Sequence, residues 1–159
     1  MAQIKIETFI KNIPAIVFDL TRSIDLHKLS TAKTKEEAVA GITSGLIGLH
    51  ETVTWQAFHL FKKRRFTSKI TEYNSPFSFT DQMQEGDLKY FSHKHFFEEK
   101  KNGTLMRDII LLEAPFGLLG KIVMSIFLKN YFEKFLIERN AMIKEFAESD
   151  KWKLILKQQ

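Results

Sequence analysis

From Glu51 onward, polar and apolar residues alternate with a period of two. Val53, Trp55, Ala57, His59 and Phe61 share one face, and Phe66, Ser68 and Ile70 repeat the pattern after a basic run. Phe77, Phe79, Asp81 and Met83 form the next inward set, then Phe91, His93, His95 and Phe97, then Met106, Asp108, Ile110 and Leu112. This is the alternation of strands with one buried face. Asn74-Ser75-Pro76, Glu85-Gly86-Asp87 and Lys100-Lys101-Asn102-Gly103 mark the turns. Five strands joined by such short turns must run antiparallel, because parallel neighbours need long crossovers.

Before the meander, Gln3 to Ile10 reads as a first strand. Pro14 opens a helical stretch to about Leu29, with Ile16, Val17, Leu20, Ile24 and Leu29 at roughly helical spacing and room for a break. Thr34-Lys35-Glu36-Glu37 matches a capping box, with Thr34 as N-cap, and Gly41 closes that short turn or helix. Gly41, Gly45 and Gly48 are not a phosphate loop: no Gly-Lys-Ser/Thr ending follows, and strands come next.

After the meander, Pro115-Phe116-Gly117 breaks the sheet. A helix is expected from about Leu118 to Glu148, carrying Met124, Leu128, Tyr131, Phe135, Met142 and Phe146 along one stripe and Asn130, Glu133, Lys134, Asn140 and Lys144 on the other side. About 30 residues at ~1.5 Å each make a rod of about 45 Å. Its apolar stripe needs a surface and the sheet needs a cover. The expectation is a single α+β domain over residues 1–149. Residues 150–159 form a tail, with Trp152, Leu154 and Leu156, that either extends the helix or folds back.

Composition adds a few bounds. The chain has 159 residues and no cysteine, so disulfides and thiolate zinc sites are out. Fifteen phenylalanines promise a large aromatic interior. The N-terminus shows no signal-peptide pattern. The most apolar window, Ile109 to Leu128, contains Glu113, Pro115 and Lys121 and reads as strand, turn and helix start. A cytoplasmic protein with no stable membrane insertion is expected. The formal net charge is +5, and its one dense basic run, Lys62-Lys63-Arg64-Arg65, reads as solvated turn charge, so no nucleic-acid partner is expected.

Local phrases sharpen the fold. His50-Glu51-Thr52-Val53-Thr54-Trp55 resembles the strand that begins Gly-Glu-x-Val-x-Trp in the helix-grip superfamily, the START-like or SRPBCC proteins, whose members include lipid-transfer, pollen-allergen and polyketide cyclase-like domains. Ser68-Lys69-Ile70-Thr71, Pro76-Phe77-x-Phe79-x-Asp81-x-Met83-x-x-Gly86, His93-x-His95-x-Phe97 and Gly103-Thr104-x-Met106-x-Asp108, followed by Ala114-Pro115-x-Gly117-x-x-Gly120, are similar to stand-alone bacterial members. His50 departs from the glycine usual in that turn. The resemblance implies six or seven curved antiparallel strands wrapped around a long C-terminal helix, with short helices after the first strand. It also implies a hydrophobic cavity between sheet and helix, and a small hydrophobic ligand, lipid-like, polyketide-like or aromatic.

The candidate chemistry lies in polar residues at inward parity: His59, Asp81, His93, His95 and Asp108. If Lys100 to Gly103 form the loop, Phe97 faces Met106 and His95 faces Asp108. Such a pair answers the cost of burying charge. These groups either satisfy one another beside a filled core or orient the polar end of a ligand. Trp55, Phe79, Met106, Met124, Tyr131 and Phe135 are the apolar lining candidates. His93-x-His95 with Asp108 could approach a metal, but no third histidine sits at a committing spacing, so no metal and no cofactor is expected. Catalysis by a His–Asp pair in the same cavity is the alternative, and an interaction module with a vestigial pocket is another. The entrance is expected near the short helices and the Gly41 to Gly48 segment. The oligomeric state stays open.

Overall fold

The computed structural model describes residues 1–59, 61–123 and 127–157. Its sheet has seven antiparallel strands: β1 (Ala2–Ile10), β2 (Glu37–Gly41), β3 (Thr52–His59), β4 (Lys62–Asn74), β5 (Ser78–Glu85), β6 (Tyr90–Lys100) and β7 (Gly103–Glu113). Their order across the sheet is β1-β7-β6-β5-β4-β3-β2. The five meander strands therefore lie side by side in chain order. The first strand closes one edge by pairing along β7, from Ala2 opposite Leu112 to Ile10 opposite Thr104. Register shifts in β4 between Thr67 and Ser68 and between Ile70 and Glu72 add twist where the sheet must curve.

The helices are α1 (Pro14–Thr21), α2 (Ile24–Ser30), α3 (Gly117–Val123), α4 (Lys129–Ala147) and α5 (Lys151–Leu156). Pro14 starts α1, and Ser23 divides α1 from α2 by accepting the Leu26 N–H on its hydroxyl at 3.2 Å. The capping box expected at Thr34 does not form. Glu37 opens strand β2, and Thr34 ends a single 3₁₀ turn, Ala32–Thr34, donating its hydroxyl to the Thr31 carbonyl instead. Its four-residue phrase is outcompeted by pairing of the next residues with β3. Gly41 accordingly ends a strand rather than a helix.

Three further expectations are corrected. The basic run lies inside β4, not in the turn before it. Phe61 and Phe77, assigned to inward faces, sit in turns and are exposed. Asn140, assigned to the outer side of the last helix, is buried. The buried line of α4 is Leu136, Arg139, Asn140, Ile143 and Ala147, with Tyr131, Phe135, Met142 and Phe146 half-buried beside it. Hydropathy displaced the stripe because two polar residues occupy its centre. The tail folds back as α5, which packs on α1 and α4 and lays Trp152, Ile155 and Leu156 against the core.

The core centres on Phe18, whose ring meets Tyr73, Phe79 and Phe97 edge-on at 5.3, 5.4 and 5.3 Å. Burying such a ring stabilises by roughly 1.5–3 kcal/mol. A second cluster of Ile4, Phe91, Ile110, Leu112, Ala114 and Leu136 lies between β1, β6, β7 and α4. His50 takes φ +67, a left-handed conformation that costs glycine least and that histidine tolerates better than most residues. No helix among the described residues is long and apolar enough to cross a membrane.

Candidate functional site

Alternation along β6 turns Phe91, His93, His95 and Phe97 to one buried face. Register then decides their neighbours. Asp108 on β7 is opposite His95, and Asp81 on β5 is opposite His93. The expected cross-strand pairing is therefore present, and it is doubled. His93 Nε2 lies 2.8 Å from Asp108 Oδ1 in a hydrogen bond. His95 Nδ1 lies 2.8 Å from the same oxygen, close enough for an ion pair but off the direction of a well-formed hydrogen bond. His95 Nε2 reaches Asp81 Oδ2 at 3.2 Å. The two imidazoles overlap at 3.8 Å between ring centres, and Phe79 stacks on His95 at 4.2 Å.

From above, α4 adds two residues that the sequence pattern missed. Asn140 donates from Nδ2 to Asp108 Oδ2 at 2.6 Å. Arg139 donates from Nη2 to the Thr21 carbonyl at 2.9 Å, while its Nη1 is buried without a hydrogen-bond partner among the described residues. Burial works against every charge here. For Asp108 it is outweighed by the hydrogen bonds and charges of His93 and His95, which hold its carboxyl well below the usual range. Asp81 is likewise lowered against its burial, first by the His95 hydrogen bond. In His95 the two carboxylates overcome burial and raise the imidazole. His93 goes the other way: burial, then the charge of His95, lower it. Burial also lowers Arg139, opposed by Asp108 and Asp81.

The concave face, α2, α3 and α4 enclose a cavity of about 740 Å³. Trp55, Phe79, Asp81, His93, His95, Tyr131 and Phe135 line it, as does Arg139. Met106 and Asp108 do not: both are wholly buried behind the wall, Met106 among core residues and Asp108 beneath the two imidazoles. Met124 lies outside the described residues, as does the side chain of His59. His27 also lines the cavity; it pairs with Glu36 at 2.5 Å and lies tilted over Trp55, ring centres 4.2 Å apart.

The entrance differs from expectation. The exposed lining residues are Lys62, Arg65, Asp87, Phe116, Leu119 and Val123, so the described mouth lies between the start of β4 and α3. Of the Gly41 to Gly48 segment only buried Ile47 reaches the cavity. Gly120 holds α3 in place at this rim, since a Cβ there would stand 1.8 Å from the Pro115 carbonyl oxygen.

No family model and no curated protein matches the chain in sequence. Solved structures do match in shape. TTHA0849 from Thermus thermophilus superposes with a TM-score of 0.75 at 17% identity, over 92% of this chain and 97% of that one. Ginseng major latex-like protein 151 from Panax ginseng gives 0.69 at 15% identity, over 93% and 98%. A START superfamily protein from Mycobacterium smegmatis gives 0.69 at 10% identity, over 90% and 97%. The fold is the START-like helix-grip fold. In helix-grip terms, α4 is the gripped helix, and the polar cluster is the floor of the space between it and the sheet.

Proposed function

We propose that this protein binds a small hydrophobic molecule carrying a hydrogen-bond-accepting or anionic group. Arg139 carries the reading. It is a cation only 6% exposed, lining a largely apolar cavity, with one guanidinium nitrogen unpartnered among the described residues. An unsatisfied buried donor costs about 1–3 kcal/mol, and an acceptor on a ligand would recover that cost. The cavity volume falls within the range of about 300–1,000 Å³ usual for small-molecule sites. Trp55, Phe79, Tyr131 and Phe135 would contact the apolar body, and His93, His95 and Asp81 would orient its polar end. A void of this size speaks against a vestigial pocket.

The test is titration with anilinonaphthalene sulfonate, an apolar fluorophore bearing an anion. One saturable site is expected, with affinity reduced tenfold or more in Arg139→Leu. Absence of saturable binding, or unchanged affinity in that variant, contradicts the reading. A second reading, general acid–base chemistry on a bound substrate, draws on His95 Nε2 and Asp81 facing the cavity together. In that case His95→Gln abolishes turnover while the substrate still binds; under simple binding there is no turnover to lose.

A further inference from the structure

We propose that Asp81, His93 and His95 form a site for one divalent first-row transition-metal ion at the floor of the cavity. Asp108 is the starting point. A ring nitrogen 2.8 Å from a carboxylate oxygen must carry a hydrogen, because two lone pairs at that distance repel. Asp108 Oδ1 meets His93 at Nε2 and His95 at Nδ1. The Asp108 hydrogen bond therefore places a hydrogen on His93 Nε2 and leaves the lone pair on Nδ1, while His95 turns Nδ1 toward the same oxygen off the hydrogen-bond direction and bonds to Asp81 through Nε2. The opposite nitrogens, His93 Nδ1 and His95 Nε2, are left facing one further atom, Asp81 Oδ2, at 3.9 and 3.2 Å.

The three donor atoms lie within 4.8 Å of one another. An ion with bonds of about 2.0–2.2 Å separates its ligands by about 3.0–3.5 Å, so modest closure suffices. The closure lies between the two imidazoles, because Asp81 Oδ2 already stands 3.9 and 3.2 Å from them; Asp81, its side chain 19% exposed, can follow a small turn of either ring. The ion would take the place of the hydrogen now between His95 Nε2 and Asp81 Oδ2; that proton would leave to solvent, and His95 would keep one hydrogen on Nδ1, toward Asp108. Asp108, fixed by Asn140 at 2.6 Å, would be the outer carboxylate that orients ligating histidines.

All three ligands line the cavity, so the remaining coordination positions open toward it. Two imidazoles and one carboxylate suit zinc, iron(II) or cobalt(II) rather than calcium or magnesium, which prefer all-oxygen shells. From the sequence no metal is expected, and Asp108 is the carboxylate at hand for the two histidines. The geometry instead puts Asp108 outside the shell and Asp81 in it.

Cobalt(II) is the probe. Chelator-stripped protein is dialysed against cobalt chloride, then metal content and visible absorption are measured. The expected result is one equivalent per chain with a ligand-field band, and affinity falling at least tenfold in Asp81→Asn and in His95→Gln. Asp81 is less buried than His95, its side chain 19% exposed against 2%, so Asp81→Asn keeps the test decisive if His95→Gln fails to fold by circular dichroism. No bound equivalent, or equal binding by folded Asp81→Asn, overturns the site. Because anilinonaphthalene sulfonate binding is read separately, loss of the metal site leaves the ligand reading to stand or fall on its own measurement.

Discussion

The floor and the rim of the cavity are built on opposite principles. At the floor, polar residues are buried and over-connected: Asp108 alone meets His93, His95 and Asn140. At the rim, apolar residues are exposed: Phe116 is 83% and Leu119 68% accessible. A buried polar network is costly to break, because each partner left behind keeps its desolvation penalty. An exposed apolar residue contributes little to folding, so its use must be sought in what passes over it. The floor therefore specifies the fold, and under the proposed function the rim would govern access.

Mutations at the two ends should separate accordingly. The largest effect is expected from Asp108→Ala, which strands two imidazoles and an amide; urea unfolding should show a loss of about 3–5 kcal/mol. Asn140→Ala removes one partner of that carboxylate and should cost about 1–3 kcal/mol. At the rim, Leu119→Ser should shift stability by no more than about 0.5 kcal/mol, while changing the dissociation rate of anilinonaphthalene sulfonate in stopped-flow fluorescence. If Leu119→Ser destabilised as much as Asn140→Ala, the contrast would fail.

The smallest effect lies away from both ends. Glu148 accepts from the Lys11 N–H and from Lys144 Nζ, each at 2.9 Å, and the Lys11 hydrogen bond, then Lys144, hold its carboxyl below the usual range. A depressed folded-state value means the contribution is complete above the unfolded-state value and is lost as pH falls through the folded one. Solvent screening limits it to about 0.5 kcal/mol. Glu148→Gln should flatten that part of the acid limb of the stability profile, measured by urea midpoints across the carboxylate range.

The sheet was legible in the sequence because one face of each strand is apolar and the period is two. Phe91, His93, His95 and Phe97 showed their common face even with two histidines among them, and the hairpin at Lys101-Asn102 carried the register that joins His95 to Asp108. The helix was legible only in part. Asn140 read as a solvent residue and Arg139 drew no reading, since a 3.6-residue pattern scores hydropathy and not hydrogen-bond partners 32 and 118 positions away. One signal was available: Arg139, Asn140 and Ile143 share a face with Leu136 and Ala147, and the meander already offered a buried carboxylate in need of a donor. The mouth was less legible still, because glycine content suggested an opening, whereas the exposed lining residues come from the start of β4, Asp87 and the segment from Phe116 to Val123.

Native mass spectrometry of protein purified from its own host, set beside the same sample denatured, asks whether the cavity carries a ligand. The expected result is an organic mass that accompanies the folded chain and leaves on denaturation, and that is depleted in Arg139→Leu. A folded chain that carries no organic mass, and that takes up no apolar anion when one is offered in excess, would contradict it.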